Sequence, residues 1–465
     1  MVKYCEVLAL HDEHRTTRKR PKWCQKDAGP LAYVSLLIIC LICWTSVFPS
    51  SLRFSLSSDS APGFSYFSHL ASHCAHISPI PTSSYVQRQN LLAELLHSLN
   101  ASAYIAEPGA NAAYFANISS SHWHLSERPL LLIVTPRVDE EGSIHATVTV
   151  LTPYFEATRA KLLPIPSAST VTFAEWPEDV DPYAVALSTI EHFQNSTVFV
   201  DNSIRHFIVD GLQEASPSTQ VISAPVEIRR LRERKNEDEI EILKCANEAT
   251  VLSIRAAREQ MRIGMRESEV RALVEEAMAA AGLKNAFALT LFGENAALPH
   301  GSGTDRILGN HDFILIDCGG ELHGYVSDVT RTFALPSSII SPRQLALWDL
   351  IHRAQSAALA KARNGTITAE VDHAAREVIA AEHLAPFFTH RLGHGIGIEG
   401  HESPYLRGGS DDIILTGHTF SDEPGVYIEG EIGVRLEDCF YINEIGEAVY
   451  LTAGVGGQAT NPWKP

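Results

Sequence analysis

The sequence predicts an α/β (α+β) protein of two folded domains, on three observations. Between residues 84 and 225, short apolar runs bounded by turn residues alternate with stretches of helical period. From residue 226 two long charged helical stretches are followed, from about 286, by strand-like runs and tight turns. Five potential metal ligands fall in this last part: Asp317, Asp328, His394, Glu423 and Glu437. Residues 226–465 are therefore read as one catalytic domain. A formal charge of −18 argues against a nucleic-acid partner, because phosphate binding needs a basic face.

Residues 31–48, LAYVSLLIICLICWTSVF, carry no charge. As a helix they would span about 27 Å, close to a bilayer core of about 30 Å. Arg15, Arg18, Lys19, Arg20, Lys22 and Lys26 precede them, with no acid between Arg15 and Lys26. The positive-inside rule then predicts a cytoplasmic tail over 1–30, a transmembrane signal anchor over 31–48, and a lumenal or extracellular body. Secretion after signal cleavage is the alternative. Residues 49–83, rich in Ser and Pro, read as a stalk. The N-x-S/T acceptors at Asn100, Asn117, Asn195 and Asn364 agree with a glycoprotein. There are eight cysteines but no pair of C-x-x-C motifs, so a structural zinc site is not expected.

In the first domain, 84–225, RQNLLAELLHSLN has the spacing of an amphipathic helix. RPLLLIVTP, HATVTVLTP and STVFVD read as buried strands. The next stretch, PVEIRRLRERKNEDEIEILKCANEATVLSIRAAREQM, predicts one long helix broken near Gly264, and ESEVRALVEEAMAAAGL a second, closed by Gly282. Two further helices are expected at about 342–363 and 368–382.

The apolar run Phe313–Ile316 reads as a strand with Asp317 at its end; Gly319, Gly320 and Gly324 supply turns, and YVSDVTRTF returns with Asp328. Thr330, two residues on, shares the face of Asp328, so its hydroxyl is placed to support a ligating carboxylate. Arg435 precedes Glu437 by two residues in GVRLED. Alone, an Asp after a strand is more often a turn former, and a Glu beside an Arg a structural ion pair. Together, four carboxylates and one imidazole suit one site for two divalent ions, Mn²⁺ above all, with Co²⁺ or Zn²⁺ as alternatives. Two such ions activate a water and stabilise an oxyanion, which is a hydrolase layout. H-E-x-x-H is absent, and no G-x-S-x-G elbow occurs in the catalytic part.

ILIDCGGELHGYVSDVTRTF, HRLGHGIGIEGHESP, DEPGVY and GVRLED together resemble the M24 metallopeptidases, in the Xaa-Pro aminopeptidase and Xaa-Pro dipeptidase (prolidase) branch. The likeness covers about residues 226–452. It implies a pita-bread catalytic domain behind a creatinase-type α/β domain, and exopeptidase hydrolysis of Xaa-Pro bonds by a hydroxide bridging two metal ions. By the same resemblance Asp317 ligates one ion, Asp328 and Glu437 bridge both, and His394 and Glu423 complete the shells. Glu423 handles the proton of the water, His300 and His401 face the substrate, His390 lines the pocket, and Arg435 orients the bridging glutamate. The expected partners are short proline-containing peptides, the membrane through residues 31–48, and a second copy in a homodimer. Asp422 departs from the family's usual hydrophobic residue before Glu423. A creatinase-like amidinohydrolase and a non-catalytic module remain the alternatives.

Overall fold

The structure, a computed structural model, describes residues 66–301 and 303–465. Its first half is a six-stranded mixed sheet. The elements run α1 (Thr82–Ser98), β1 (Ala101–Ala106), α2 (Ala110–Ala116), β2 (Leu131–Val138), β3 (Ile144–Pro153), α3 (Ala157–Ala160), β4 (Thr172–Trp176), α4 (Pro182–Ser188), β5 (Thr197–Val200), α5 (His206–Ala215) and β6 (Gln220–Ser223). The spatial order is β4-β3-β2-β1-β5-β6, with β1, β5 and β6 parallel. Helices cover both faces. Leu132 and Val134 enter one apolar cluster, while Leu131 and Ile133 enter the other. Two-sided burial explains why RPLLLIVTP shows no alternation.

The second half begins with α6 (Val226–Glu233), α7 (Glu237–Gln260) and α8 (Glu267–Ala280). β7 (Lys284–Phe292), β8 (Ile314–Leu322) and β10 (Val329–Phe333) form one sheet, with the short β9 (Tyr325–Val326) beside β8. After α9 (Pro342–Lys361) and α10 (Thr368–Ala381) come β11 (Gly393–Gly395), β12 (Glu402–Leu406), β13 (Thr419–Asp422), β14 (Gly425–Ile428), β15 (Ile432–Arg435), β16 (Asp438–Ile442) and β17 (Ala448–Tyr450). β12-β11-β13-β16-β17 make a five-stranded sheet, and β14 and β15 a separate hairpin. α7 and α8 pack their apolar stripes on the β7–β8–β10 sheet, and α9 and α10 on the later strands.

Four local expectations change. The long helix over 226–261 is two helices, because Asn236 accepts from the Glu239 amide and Glu239 reaches back to the Asn236 amide, starting α7 afresh. Asp317 lies inside β8 rather than at its end. Gly319 and Gly320 continue that strand and make no turn, and only Gly324, at φ 87°, sits in the reversal with His323. The stalk expected up to residue 83 stops earlier. Phe67, Leu70, Cys74 and Ile80 are buried in the core around α7, and a Cys74–Cys245 disulfide fastens the segment there.

Three of the four N-x-S/T asparagines, Asn100, Asn117 and Asn195, adopt left-handed φ of 54°, 56° and 58°. Asparagine tolerates that conformation, so turn geometry already accounts for their presence.

Gly319 marks a close approach: a Cβ there would lie 1.9 Å from the Ser327 carbonyl oxygen. Gly319→Ala should therefore cost about 1–3 kcal/mol of stability through overpacking. Thermal unfolding checks it, and a melting temperature equal to that of the wild type would contradict the close approach.

Candidate metal centre

Strand pairing gathers residues more than a hundred positions apart. β8 and β10 pair Asp317 with Thr330. Glu437 lies between β15 and β16, where its amide donates to the Thr330 carbonyl at 3.0 Å. His394 is the middle residue of β11, and Glu423, just past β13, donates its amide to the Leu392 carbonyl at 3.0 Å. At Gly393 an added Cβ would sit 2.0 Å from the Ser421 carbonyl, so glycine there is required by the approach of β13.

Asp328 falls in the gap between β9 and β10, where no ladder partner serves its backbone. Side chains serve it instead. Its amide donates to Asn247 Oδ1 of α7 at 3.3 Å, and its carbonyl accepts from the Cys439 thiol at 3.2 Å. Thr250 of α7 also bonds the neighbouring Ser327 hydroxyl at 2.7 Å.

The ligand atoms of Asp317, Asp328 and Glu437 lie within 4.8 Å of one another, as do those of His394, Glu423 and Glu437, and those of Asp328, His394 and His401. Overlap through Glu437, Asp328 and His394 makes this one cluster able to hold two ions. His73 is similarly close to Cys74 and Cys245, but those two are closed in the disulfide.

The charges fit cations. Burial first, then the charges of Glu437, Asp317 and Glu423, hold the Asp328 carboxyl well above the usual carboxylate range. Burial and the charges of Glu423 and Asp317 do the same to Glu437. Glu423 is pushed up to about 7, chiefly by burial. His394 carries the clearest signature. Its Nδ1 donates to the Gly395 carbonyl at 3.0 Å, which leaves a lone pair on Nε2. That nitrogen faces Glu423 Oε1 at 3.2 Å and Asp328 Oδ2 at 3.7 Å, while burial lowers the pKa of the ring. Electron pairs turned towards one another need a cation between them, and the donor set fits a divalent ion.

Arg435 reaches Asp317 directly, Nη2 to Oδ2 at 2.7 Å, and Glu437 only through Thr330. Its Nε donates to Thr330 Oγ1 at 3.1 Å, and that hydroxyl donates to Glu437 Oε2 at 2.6 Å. Thr330 thus supports Glu437 across the sheet rather than Asp328 along its own strand. Tyr427, which the sequence reading gave no role, extends the chain. Its hydroxyl accepts from Arg435 Nη1 at 3.0 Å and donates to His390 Nε2 at 2.8 Å. His390 Nδ1 in turn donates to the Arg391 carbonyl at 2.6 Å. Burial pushes Tyr427 up to about 12 and His390 down to about 4, the states this relay needs. The available signal was Gly425: β14 needs a glycine there, since a Cβ would lie 2.3 Å from the Tyr427 hydroxyl.

His401 stands at the rim, its ring 4.1 Å from that of His394. Burial, then the charges of His394 and Arg391, lowers it to about 4, and the charge of His300 acts on it as well. His300 is exposed beyond a 3₁₀ turn at Gly293–Ala297. Asp422, adjacent to Glu423, stays out of the cluster: the pleat turns it to the other face of β13, where Tyr450 donates to its Oδ2 at 3.3 Å. Cys439 and Asn247, which hold Asp328, were also missed, since buried residues of this kind read from sequence as ordinary core.

Two buried and two half-buried carboxylates and a buried imidazole in overlapping donor sets define a binuclear metal centre on an α/β scaffold. Residues 241–444 match the profile of metallopeptidase family M24. An uncharacterized peptidase of Schizosaccharomyces pombe is 35% identical over 393 residues, covering 83% of this chain and 84% of that protein. The Xaa-Pro dipeptidase of Pyrococcus furiosus is 34% identical over 252 residues, covering 54% and 72%. The crystal structure of dipeptidase PepE from Mycobacterium ulcerans superposes with a TM-score of 0.71 at 28% identity, covering 80% of this chain and 97% of that one. The chain belongs to metallopeptidase family M24. Its catalytic half has the pita-bread type of fold of the known dipeptidases and prolidases.

The localisation expected from residues 31–48 is corrected by these findings. The match spans 97% of the M. ulcerans dipeptidase, so the shared fold is built from the elements described above. Among the described residues no helix is long and apolar enough to cross a membrane. Residues 31–48 themselves lie outside the described residues.

The raised carboxylates dictate a pH dependence. A carboxyl whose folded pKa exceeds its unfolded value lends stability that is lost as pH rises through the folded pKa. Glu423, at about 7 against an ordinary 4.5, places part of that loss around neutrality. The histidines His390, His401 and His418, lowered to about 4, 4 and 3, finish their own contribution near their ordinary 6.5. Chelator-stripped protein should therefore lose thermal stability as pH rises above about 6.5, where the histidines no longer add and Glu423, Asp328 and Glu437 are still losing theirs. Restored divalent metal should reverse that trend, because metal binds the deprotonated ligands. Calorimetry across the window checks both, and stripped protein that gains stability there would contradict the electrostatics.

Proposed function

We infer that this protein is a metal-dependent exopeptidase that hydrolyses the Xaa-Pro bond at the N-terminus of short peptides or in Xaa-Pro dipeptides. The observation that carries the reading is His394 Nε2, its lone pair turned towards Glu423 and Asp328 at 3.2 and 3.7 Å. The proline specificity comes from the similarity to the Xaa-Pro dipeptidase of P. furiosus. Residues 226–465 form the catalytic domain, and residues 84–225 the creatinase-type domain before it.

Asp317 would hold one ion, Asp328 and Glu437 would be shared by the two, and His394 and Glu423 would complete the set. Oxygen-rich ligation with one imidazole favours Mn²⁺, with Co²⁺ or Zn²⁺ as alternatives. Bound, the pair supplies Lewis acidity and a nucleophilic water at neutral pH. Glu423 takes the proton of the attacking water and delivers it to the leaving proline nitrogen. His401 and His300 bind the substrate around the scissile carbonyl, and His390 walls the pocket. Arg435 holds Asp317 and, through Thr330, Glu437 in their orientations. The creatinase-like and non-catalytic readings call for a reduced ligand set, whereas all five side chains are present and converge.

Full-length protein stripped with chelator and resupplied with Mn²⁺ should cleave Xaa-Pro dipeptides, Xaa-Pro-Xaa tripeptides, or both. Folded, metal-loaded protein that cleaves neither would refute the reading, and the ratio of the two rates separates dipeptidase from aminopeptidase. Asp328→Asn should lower kcat by at least about 10³-fold while the circular dichroism spectrum stays native. Turnover at the wild-type rate in that variant would overturn the ligand assignment.

A further inference from the structure

We propose that a buried ion pair, Lys235–Glu402, is a positioning device for His401; this rests on the substrate-facing role of His401 given above. Lys235 lies in the short break between α6 and α7, and its side chain is only 1% exposed against 2% for Glu402. Its Nζ donates to Glu402 Oε1 and, at 3.2 Å, to the Glu233 carbonyl. Its amide is fixed to the Gly417 carbonyl at 2.8 Å. The other oxygen of Glu402 accepts from the Glu399 amide at 3.4 Å and faces Arg232 Nη1 at 3.7 Å. Arg232 also holds the Glu399 carboxylate at 2.5 Å. The end of α6 and the break after it thus grip two acids close to His401 in the chain, Glu399 and Glu402.

No hydrogen bond holds the His401 ring among the described residues, so its direction depends on its backbone. Glu402 opens β12, and neighbouring side chains at a strand point to opposite faces. Drawing Glu402 down onto Lys235 therefore turns His401 up, towards His394. The far end of the loop is equally fixed: the Gly397 carbonyl accepts from Val326 of β9 at 2.8 Å. A Cβ on Gly397 would lie 2.8 Å from both Glu402 Oε1 and Lys235 Cε, so the loop closes tightly over the pair. A buried ion pair adds little net stability over an apolar pair of the same volume. What this pair adds is direction, delivered from the short break between α6 and α7.

The test is a double-mutant cycle in full-length, Mn²⁺-loaded protein, reading kcat, KM, metal content and melting temperature on an Xaa-Pro peptide. Glu402→Gln should lower kcat by about 10–100-fold, the scale of an ångström-sized misplacement, with KM and metal content near wild type. His401→Asn should lower kcat by itself, and adding Glu402→Gln to it should change kcat by less than about two-fold. A multiplicative loss in the double variant would overturn the proposal, as would a Glu402→Gln loss that follows the metal content. A damaging His401→Asn beside a silent Glu402→Gln overturns the clamp alone. A silent His401→Asn removes the role of His401, and the clamp with it. If Glu402→Gln fails to fold, Lys235→Met/Glu402→Met keeps the volume without buried charge and should show the same loss of kcat.

Discussion

Mutual repulsion among Asp317, Asp328, Glu423 and Glu437 is the constraint around which the catalytic half is organised. Carboxylates so close in a buried place cannot all ionise unaided, and the raised pKa values of three of them express that conflict. Arg435 relieves part of it by bonding Asp317 directly and Glu437 through Thr330. The rest falls to cations between the donor sets. Metal binding and the integrity of the centre are therefore one thermodynamic problem.

The scaffold meets that problem with backbone placement. Sheet register sets Asp317 opposite Thr330 and brings Glu437 alongside, so the oxygens are held by ladders rather than by flexible loops. Where the ladder fails, at Asp328, two side chains from distant elements replace it. Glycines at 319, 393 and 425 occur where strands or rings come too close for a Cβ. Rigidity of this kind suits a centre whose ligands must not collapse on each other or relax apart.

A second polar layer ties the centre to the substrate side. The relay from Asp317 through Arg435 and Tyr427 to His390 runs as one continuous chain of hydrogen bonds. Ion pairs of α6 and the break after it support the loop carrying His401. These contacts join the start of the catalytic half to its rim, so the junction between the two halves is part of the substrate side as well as a connector.

Much of this was legible in the residues themselves. The order and spacing of Asp317, Asp328, His394, Glu423 and Glu437 announce a hydrolytic two-metal centre, because few other tasks need four carboxylates and an imidazole in strand-like contexts. The alternation of strands and helices announces the α/β class, because hydrophobic period is a local property. Direction was not legible. That Thr330 serves Glu437, that Asp422 turns away, that Tyr427 links Arg435 to His390 and that Lys235 lies beneath the His401 loop all depend on which strands pair and in what register. Pairing is decided by packing between residues far apart in the chain, so only the tertiary structure settles it.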